Sequence, residues 1–267
     1  MGFIGAGRMA EAMIMGLLSQ DASSSANLGC SSGSGATART LSERTGIRYY
    51  PTTLELADDC DVWVLAHKPF QLVDLPHELT ELSRGKLIVS VLAGILLSDL
   101  SKKFPHARNI VRAMPNTPAQ IGAGLTGYTF FSEPLDSDAA QITTLLAASG
   151  KALKIQESDM DALTAISGSG VAYIFDWAQA MIDAGVAQGL SHGVSTELVL
   201  STFSGASALM EASPTQSPGA LRDAVVSKGG TTEAALKVFA EQKTAQTIKV
   251  AVQAAANRSR ALSRGDE

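Results

Sequence analysis

Short apolar runs alternate with amphipathic stretches through the first 156 residues of the chain. Apolar residues that recur every three to four positions predict helices, whereas compact aliphatic and β-branched runs predict strands. The predicted strands are Gly2–Ile4, Asn27–Ser31, Ile47–Tyr50, Asp61–Ala66, Lys86–Val91, Asn109–Ala113, Gly124–Phe131 and Lys151–Ile155. The clearest predicted helices between them are Arg8–Ser19, Gly35–Arg44, Phe70–Ser83 and Asp136–Ala148. This alternation is typical of right-handed βαβ units and a mostly parallel sheet.

The strand signal stops after residue 156, and the remaining pattern is helical. Gly and Ser interrupt it at residues 167–170, 213–219 and 228–230. We therefore predict an α/β domain over residues 1–156 and an all-α domain over residues 157–267. A length of 267 residues agrees with two domains.

Charge is scarce in this chain and unevenly placed. Charged residues make up 18%, against roughly 25% in an average soluble domain. The 61 residues from Asp161 to Leu221 contain five acidic residues and no Lys or Arg. A helical stretch of this composition is unsuited to face water alone, so we predict a homodimer or a larger homo-oligomer.

Composition also excludes several classes of partner and location. The 21 basic and 26 acidic residues leave a net charge of −5, which does not favour nucleic acid. The longest apolar run outside the N-terminus, Leu87–Leu97, has eleven residues and is too short to span a bilayer. Cys30 and Cys60 lack the number and spacing for a disulfide framework or a metal site. We expect a cytoplasmic protein without membrane segments or bound metal.

A glycine-rich turn joins the first predicted strand to the first predicted helix. Gly5-Ala6-Gly7-Arg8-Met9-Ala10 has the form G-x-G-x-x-A. In a Rossmann fold the first Gly permits the tight turn and the second admits a pyrophosphate to the helix N-terminus; a small third residue allows close packing. The pattern predicts a dinucleotide site, and the alternative is an ordinary tight βα turn.

The end of the second strand bears on the choice between NAD and NADP. A carboxylate there would bind the ribose hydroxyls of NAD, but residues 30–39 contain none. A 2′-phosphate would be tolerated, and an alternative is that this segment is only a solvated loop. The candidate ligands for that phosphate are Ser31, Ser32, Ser34 and Arg39.

Five further motifs follow one another along the chain in an order that is characteristic of one protein family. Three follow predicted strands: Ala66-His67-Lys68-Pro69, Ala93-Gly94 and Met114-Pro115-Asn116-Thr117-Pro118. Two lie in the helical region: Ser167-Gly168-Ser169-Gly170 and Ser227-Lys228-Gly229-Gly230-Thr231-Thr232. Together they resemble the pyrroline-5-carboxylate reductases over almost the whole chain. The resemblance implies a Rossmann domain followed by a helical dimerisation domain, with reduction of L-1-pyrroline-5-carboxylate to L-proline, the last step of proline biosynthesis, by NADPH in preference to NADH.

The resemblance also implies which residues bind the two ligands. Those implied for the cofactor, in the glycine loop and three later turns, are Gly5, Ala6, Gly7, Arg8, Met9, Ala66, His67, Lys68, Pro69, Ala93 and Asn116. Those implied for the substrate are Ser227, Gly229, Gly230, Thr231 and Thr232. Two glycines that lead into a helix over Thr232–Gln242 also form an anion site from N–H groups; an alternative is that Thr231 only caps that helix.

The chemistry asks more of orientation than of acid catalysis, because a protonated cyclic imine already accepts hydride readily. We expect Thr232 to hydrogen-bond the ring nitrogen or carboxylate and help deliver a proton. Three positions depart from the family pattern: Arg8 in place of Asn, Val171 in place of Pro and Lys228 in place of Pro. Arg8 bears on the contacts with the pyrophosphate, Val171 on the start of a helix and Lys228 on the substrate loop.

Two other functions compete with the reductase. A hydroxyacid dehydrogenase of the 6-phosphogluconate type has similar organisation but uses a central lysine, and this chain has no Lys or Arg between Lys154 and Arg222. A non-catalytic or regulatory NADP-binding paralogue would keep the glycine loop and lose the substrate segment, which is intact here.

Overall fold

A computed structural model of the chain describes residues 1–20 and 22–264. Its strands are β1 (Gly2–Ile4), β2 (Gly29–Ser31), β3 (Arg48–Tyr49), β4 (Val62–Leu65), β5 (Leu87–Ser90), β6 (Asn109–Met114), β7 (Gly124–Phe130) and β8 (Gly150–Lys154). Its helices are α1 (Arg8–Ser19), α2 (Ala36–Thr45), α3 (Thr53–Asp59), α4 (Leu79–Leu82), α5 (Leu97–Lys103), α6 (Asp136–Ala147), α7 (Met160–Leu163), α8 (Gly170–Ala187), α9 (His192–Ala212), α10 (Pro218–Ala224), α11 (Thr231–Glu241) and α12 (Thr244–Arg264). Each predicted apolar run has become a strand.

The strands form one sheet in the order β3-β2-β1-β4-β5-β6-β7-β8. All neighbours are parallel except β6 and β7, which are antiparallel. The first six strands have the order of a dinucleotide-binding fold. The chain runs outward from β1 to β3 and then crosses back, so that β4 pairs with the other side of β1. The predicted fold class, a Rossmann-type α/β domain followed by helices, is confirmed.

The central strands of the sheet are buried on both faces, which explains why they read as continuous apolar runs. Every residue of β4 and β5 is buried. One face carries a cluster that includes Phe3 and Met13, and the other carries a cluster that includes Trp63 and Leu56. This double packing holds the carboxyl ends of the strands in fixed positions.

The predicted helix over Phe70–Ser83 is wrong as a single element. The structure has a short 3-10 helix at Pro69–Leu72 and then α4, which begins only at Leu79. Pro76 lies between them, has no N–H to donate, and disfavours helical backbone at the preceding residue. The Leu79 N–H accordingly bonds back to the Pro76 carbonyl, 3.2 Å away.

The described chain divides into two compact units that do not follow the predicted boundary at residue 156. One comprises Met1–Ser169 and the C-terminal segment from Ala255, and the other comprises Gly170–Ala254. Within the first unit, Arg112 binds the Glu157 carboxylate at 3.1 Å and Ser259 binds Asp161 at 2.6 Å. These contacts attach residues after 156 to the sheet, although strands end at Lys154.

The second unit consists of helices with few large buried side chains. Gly185 of α8 lies close to Ser195 of α9, where a Cβ would stand 2.8 Å from the hydroxyl oxygen. The Trp177 and Phe239 rings join α8 to α11 with centroids 5.9 Å apart. Many apolar side chains of this unit remain exposed, including Phe175 at 67%.

Candidate functional site

A cleft of about 1050 Å³ opens at the carboxyl ends of the parallel strands. Its walls come from the turns after β1, β2, β4, β5 and β6, which is where open α/β sheets bind ligands. The predicted cofactor residues that line it are Gly5, Ala6, Gly7, Arg8, Met9, Ser32, Ala66, His67, Lys68, Pro69 and Ala93. Ser31 and Asn116 do not line it.

The glycine loop has the backbone geometry that its sequence requires. Gly5 has φ +109°, and its N–H donates to the Ser31 carbonyl at 2.9 Å. A Cβ at Gly5 would lie 2.5 Å from backbone atoms of Ala66 and His67, so only glycine fits. A Cβ on Gly7 would meet no atom within 4 Å. The space beside Gly7 therefore faces the open cleft.

The N-terminus of α1 points free N–H groups at this space. Gly7 is the residue before the helix, and no side chain caps it. The first intrahelical bond runs from the Glu11 N–H to the Gly7 carbonyl at 2.9 Å. Earlier N–H groups have no intrahelical acceptor, and the helix dipole favours an anion there. This arrangement suits a pyrophosphate.

The turn after β2 carries hydroxyls and no carboxylate. Ser32 and Ser34 line the cleft, together with Thr37. Ser32 Oγ accepts the Ala38 N–H at 3.2 Å, which holds the start of α2. Arg39, a candidate for the 2′-phosphate, instead lies over the Tyr49 ring at 5.4 Å and outside the cleft lining.

Ser31 and Asn116 have structural contacts in place of a position in the cleft. Ser31 is buried, and its Oγ lies 3.3 Å from Thr53 Oγ1. The Asn116 amide donates to Ser167 Oγ at 3.1 Å and accepts the Leu125 N–H at 2.9 Å. Asn116 thus ties the loop after β6 to the strand and turn beside it.

Several residues that line the cleft escaped the sequence motifs. Examples are Thr37, Thr53, Gln71 and Gln120. Each lies in a helix or turn that follows a strand of the sheet. Their position after strand ends was the available signal, since binding sites collect at that edge.

His67 is the one cleft residue with a perturbed titration among the described side chains. Its Nδ1 lies 2.8 Å from the Lys68 carbonyl, an arrangement in which Nδ1–H donates. Burial lowers the pKa of His67, which keeps the ring neutral. Its Nε2 is buried without a hydrogen-bond partner. The neutral ring therefore has one free acceptor beside the cleft.

The predicted substrate segment lies in the second unit. Its helix, α11, begins at Thr231, with Gly230 in the capping position and no side-chain cap. The alternative that Thr231 caps the helix is therefore wrong. The first intrahelical bond runs from the Ala234 N–H to the Gly230 carbonyl at 3.2 Å, so the N–H groups of residues 231–233 precede it.

A tight turn leads into this helix. The Gly230 N–H donates to the Ser227 carbonyl at 2.9 Å, and Gly229 has φ +76°. A Cβ on Gly230 would collide with Ser227 Oγ. The Gly229 N–H donates to the Glu233 carboxylate at 2.6 Å. The segment thus collects N–H donors and already binds one carboxylate from its own chain.

A second cavity and the absence of metal-binding clusters and membrane-spanning helices among the described residues complete the survey of candidate sites. A second cavity of about 720 Å³ lies at the amino ends of the strands, beside Met1, Tyr50 and Asp59. Its lining contains no predicted site residue. Within residues 1–20 and 22–264, no three His, Cys, Asp or Glu side chains are grouped to hold a metal ion. No helix in the same ranges has the length and apolarity needed to cross a membrane.

Comparison with known proteins adds independent evidence. Residues 157–262 match the family model described as pyrroline-5-carboxylate reductase dimerisation. Residues 1–94 match that of NADP oxidoreductase, coenzyme F420-dependent. The chain is 37% identical to a pyrroline-5-carboxylate reductase of Arabidopsis thaliana, over 98% of this chain and 95% of that protein. It is 34% identical to one of Synechocystis, over 98% and 97%.

A solved structure is similar along the same length. The pyrroline carboxylate reductase of Plasmodium falciparum with NADP bound superimposes with a TM-score of 0.88 and 31% identity. The match covers 98% of this chain and 97% of that one. The similarity therefore extends through the sheet and the helical region.

Proposed function

The chain belongs to the pyrroline-5-carboxylate reductase family, and from this membership we propose that it reduces L-1-pyrroline-5-carboxylate to L-proline. It is an oxidoreductase that uses NAD(P)H. The substrate assignment rests on the 37% identity, over 98% of the chain, with a relative that is named for that activity. The cleft at the strand ends supports the cofactor independently of any relative.

The cleft fits a dinucleotide in three respects. The uncapped N-terminus of α1 suits the pyrophosphate, and the space beside Gly7 lets it approach. The remaining predicted residues of the lining, from Ala66 to Pro69 and Ala93, extend the site along the edge of the sheet. When bound, the reduced nicotinamide supplies the hydride.

NADPH is the cofactor we propose in preference to NADH. The turn after β2 offers Ser32 and Ser34 to the cleft and no carboxylate. A carboxylate there would accept the ribose hydroxyls of NADH and repel a 2′-phosphate. Hydroxyls can instead donate to that phosphate.

We propose that the segment Gly229–Thr232 binds the substrate carboxylate through the N–H groups of Thr231 and Thr232 at the start of α11, with Ser227 holding the turn that presents them. The hydroxyl of Thr232 hydrogen-bonds the ring nitrogen and keeps its proton in place. Hydride addition to the ring carbon of the protonated imine breaks the C=N π bond, and the electron pair remains on nitrogen. The product is the secondary amine of proline, and orientation supplies most of the rate.

The chain acts as a homo-oligomer in this proposal, with a homodimer as the smallest form. The matching family model is one of dimerisation, and the second unit exposes Phe175, Leu198 and Val250 at 67%, 53% and 59%. Apolar surface of this kind normally marks an interface. Sedimentation as a monomer at micromolar concentration would contradict it.

A reducing cytoplasm is the location we propose. Cys30 and Cys60 are both buried free thiols, and burial raises the pKa of Cys30 to about 11. Such thiols are unreactive and form no disulfide that would indicate an oxidising compartment.

The test is oxidation of NADPH by the purified chain with L-1-pyrroline-5-carboxylate, followed by loss of nicotinamide absorbance. Turnover is expected with NADPH and more slowly with NADH. NADPH binding without turnover would overturn the reductase and favour a non-catalytic dinucleotide-binding protein.

The role of Thr232 has its own test. Thr232→Ala should lower kcat about tenfold to a hundredfold by removing the hydroxyl, and Thr232→Ser should restore most of it. Full turnover by Thr232→Ala would show that the hydroxyl takes no part.

A further inference from the structure

Glu233 occupies an unusual place in the segment proposed to bind the substrate carboxylate. It is the third residue of α11, and its side chain turns back toward the preceding loop. Its Oε2 accepts the Gly229 N–H at 2.6 Å. The contact is short and charge-assisted, the stronger class of hydrogen bond. One donor of the segment is thereby taken by an anion of the chain itself.

The remaining donors lie beside this carboxylate. The Gly230 N–H is used by the Ser227 carbonyl, which leaves the N–H groups of residues 231–233 at the open end of α11. They are within about one helical turn, 5.4 Å, of the Gly229 contact. A substrate carboxylate bound to them would therefore face a like charge at short range.

No Lys, Arg or His side chain forms an ion pair with Glu233 in the described part of the chain. Lys228 in the turn and Lys237 one turn along α11 are the cations of this segment, and neither forms an ion pair with Glu233 there. The nearest pair in sequence joins Arg222 to Asp223 at 2.6 Å. No cationic side chain therefore pairs with Glu233 to weaken its repulsion of an incoming carboxylate.

We propose that Glu233 is a specificity-determining residue that weakens binding of the substrate carboxylate by holding the Gly229 N–H and placing a negative charge beside the free donors. This inference rests on the proposed function. Glu233 orders the turn in the absence of substrate, because it satisfies a donor at the left-handed Gly229. It thereby sets KM without taking part in hydride transfer.

The variant that separates charge from shape is Glu233→Gln. Its amide oxygen can still accept the Gly229 N–H, so the turn is kept while the charge is removed. We expect KM for L-1-pyrroline-5-carboxylate to fall about threefold to tenfold, the size of a like-charge interaction at this range near solvent. The kcat and the KM for NADPH should stay unchanged. Glu233 is exposed, so the substitution leaves the fold intact.

Two controls accompany it. Glu241→Gln removes the same charge from the last residue of α11, and its KM should equal that of the unmodified chain. Glu233→Asp keeps the charge on a shorter side chain, and its KM should stay high. The difference between Glu233→Gln and the unmodified chain should shrink as salt rises, because screening weakens the repulsion.

The outcomes are distinguishable. Lack of turnover by the unmodified chain would overturn the proposed function, and this inference with it. Turnover by the unmodified chain with an equal or higher KM in Glu233→Gln would overturn only the role of Glu233. A fall in KM that persists unchanged at high salt would exclude the charge as its cause.

Discussion

Gly7→Ala should separate cofactor binding from folding. Gly7 precedes α1 with φ −83° and ψ −177°, a conformation that alanine adopts freely. A Cβ there meets no atom within 4 Å, so no neighbour must move. The loss of glycine entropy in the unfolded chain and the poorer capping by alanine nearly cancel, within about 1 kcal/mol.

The cost should appear in cofactor affinity. The added methyl group occupies the space through which the pyrophosphate reaches the N–H groups of α1. Losing one hydrogen bond to a charged oxygen costs about 1.5–3 kcal/mol. The Kd for NADPH should therefore rise about tenfold to a hundredfold.

Calorimetric titration with NADPH and thermal unfolding of the free protein measure the two quantities. Gly5→Ala is the contrasting variant, because its Cβ would lie 2.5 Å from the backbone at Ala66 and φ is +109°. It should lower the free energy of unfolding by about 3 kcal/mol or more. Unchanged NADPH affinity in Gly7→Ala would refute the placement of the pyrophosphate on this loop.

Three further results are expected. Ser32→Asp should lower the NADPH to NADH ratio of kcat/KM at least about tenfold without loss of stability, because a carboxylate can also accept the Ala38 N–H that Ser32 binds at 3.2 Å; an unchanged ratio would place the 2′-phosphate elsewhere. Asp138→Asn should lower the free energy of unfolding by about 2–3 kcal/mol in urea, because the buried Asp138 carboxylate accepts Arg108 Nε–H at 3.0 and 3.2 Å. A decrease of less than about 1 kcal/mol, which is typical of an exposed ion pair, would contradict this expectation. Burial lowers the pKa of His67 from 6.5 in the native protein, so below about pH 6.5 the unfolded chain binds a proton that the native ring does not. The free energy of unfolding should therefore fall as pH drops below about 6.5. His67→Gln should flatten this dependence, and equal slopes in the two proteins would contradict the expectation.

The fold and the position of a cleft at the strand ends were predictable because their signals are local. Strands buried on both faces read as apolar runs, and the turn at Gly5 and Gly7 needs residues without a Cβ. The break in the predicted helix over Phe70–Ser83 was also written in the sequence, at Pro76. The prediction followed the helical spacing of apolar residues and gave too little weight to this proline, which has no N–H to donate and therefore interrupts the helix.

Side-chain orientation at the site was not predictable in the same way. Ser31 and Asn116 stand at the right places along the chain, yet their polar atoms bind Thr53 and Ser167. A motif specifies the position of a residue on an element, but the direction of its side chain depends on which partners the neighbouring elements supply.

The sequence by itself determined the α/β class, the mostly parallel sheet and the glycine-rich turn between the first strand and the first helix. The tertiary structure alone decided that residues from Ala255 return to the sheet unit, that Ser259 binds Asp161, and that Nε2 of His67 is left without a partner. Local pattern records which faces must be buried, since burial has a period along the chain. Pairing between distant segments depends on packing in three dimensions, which no local period records.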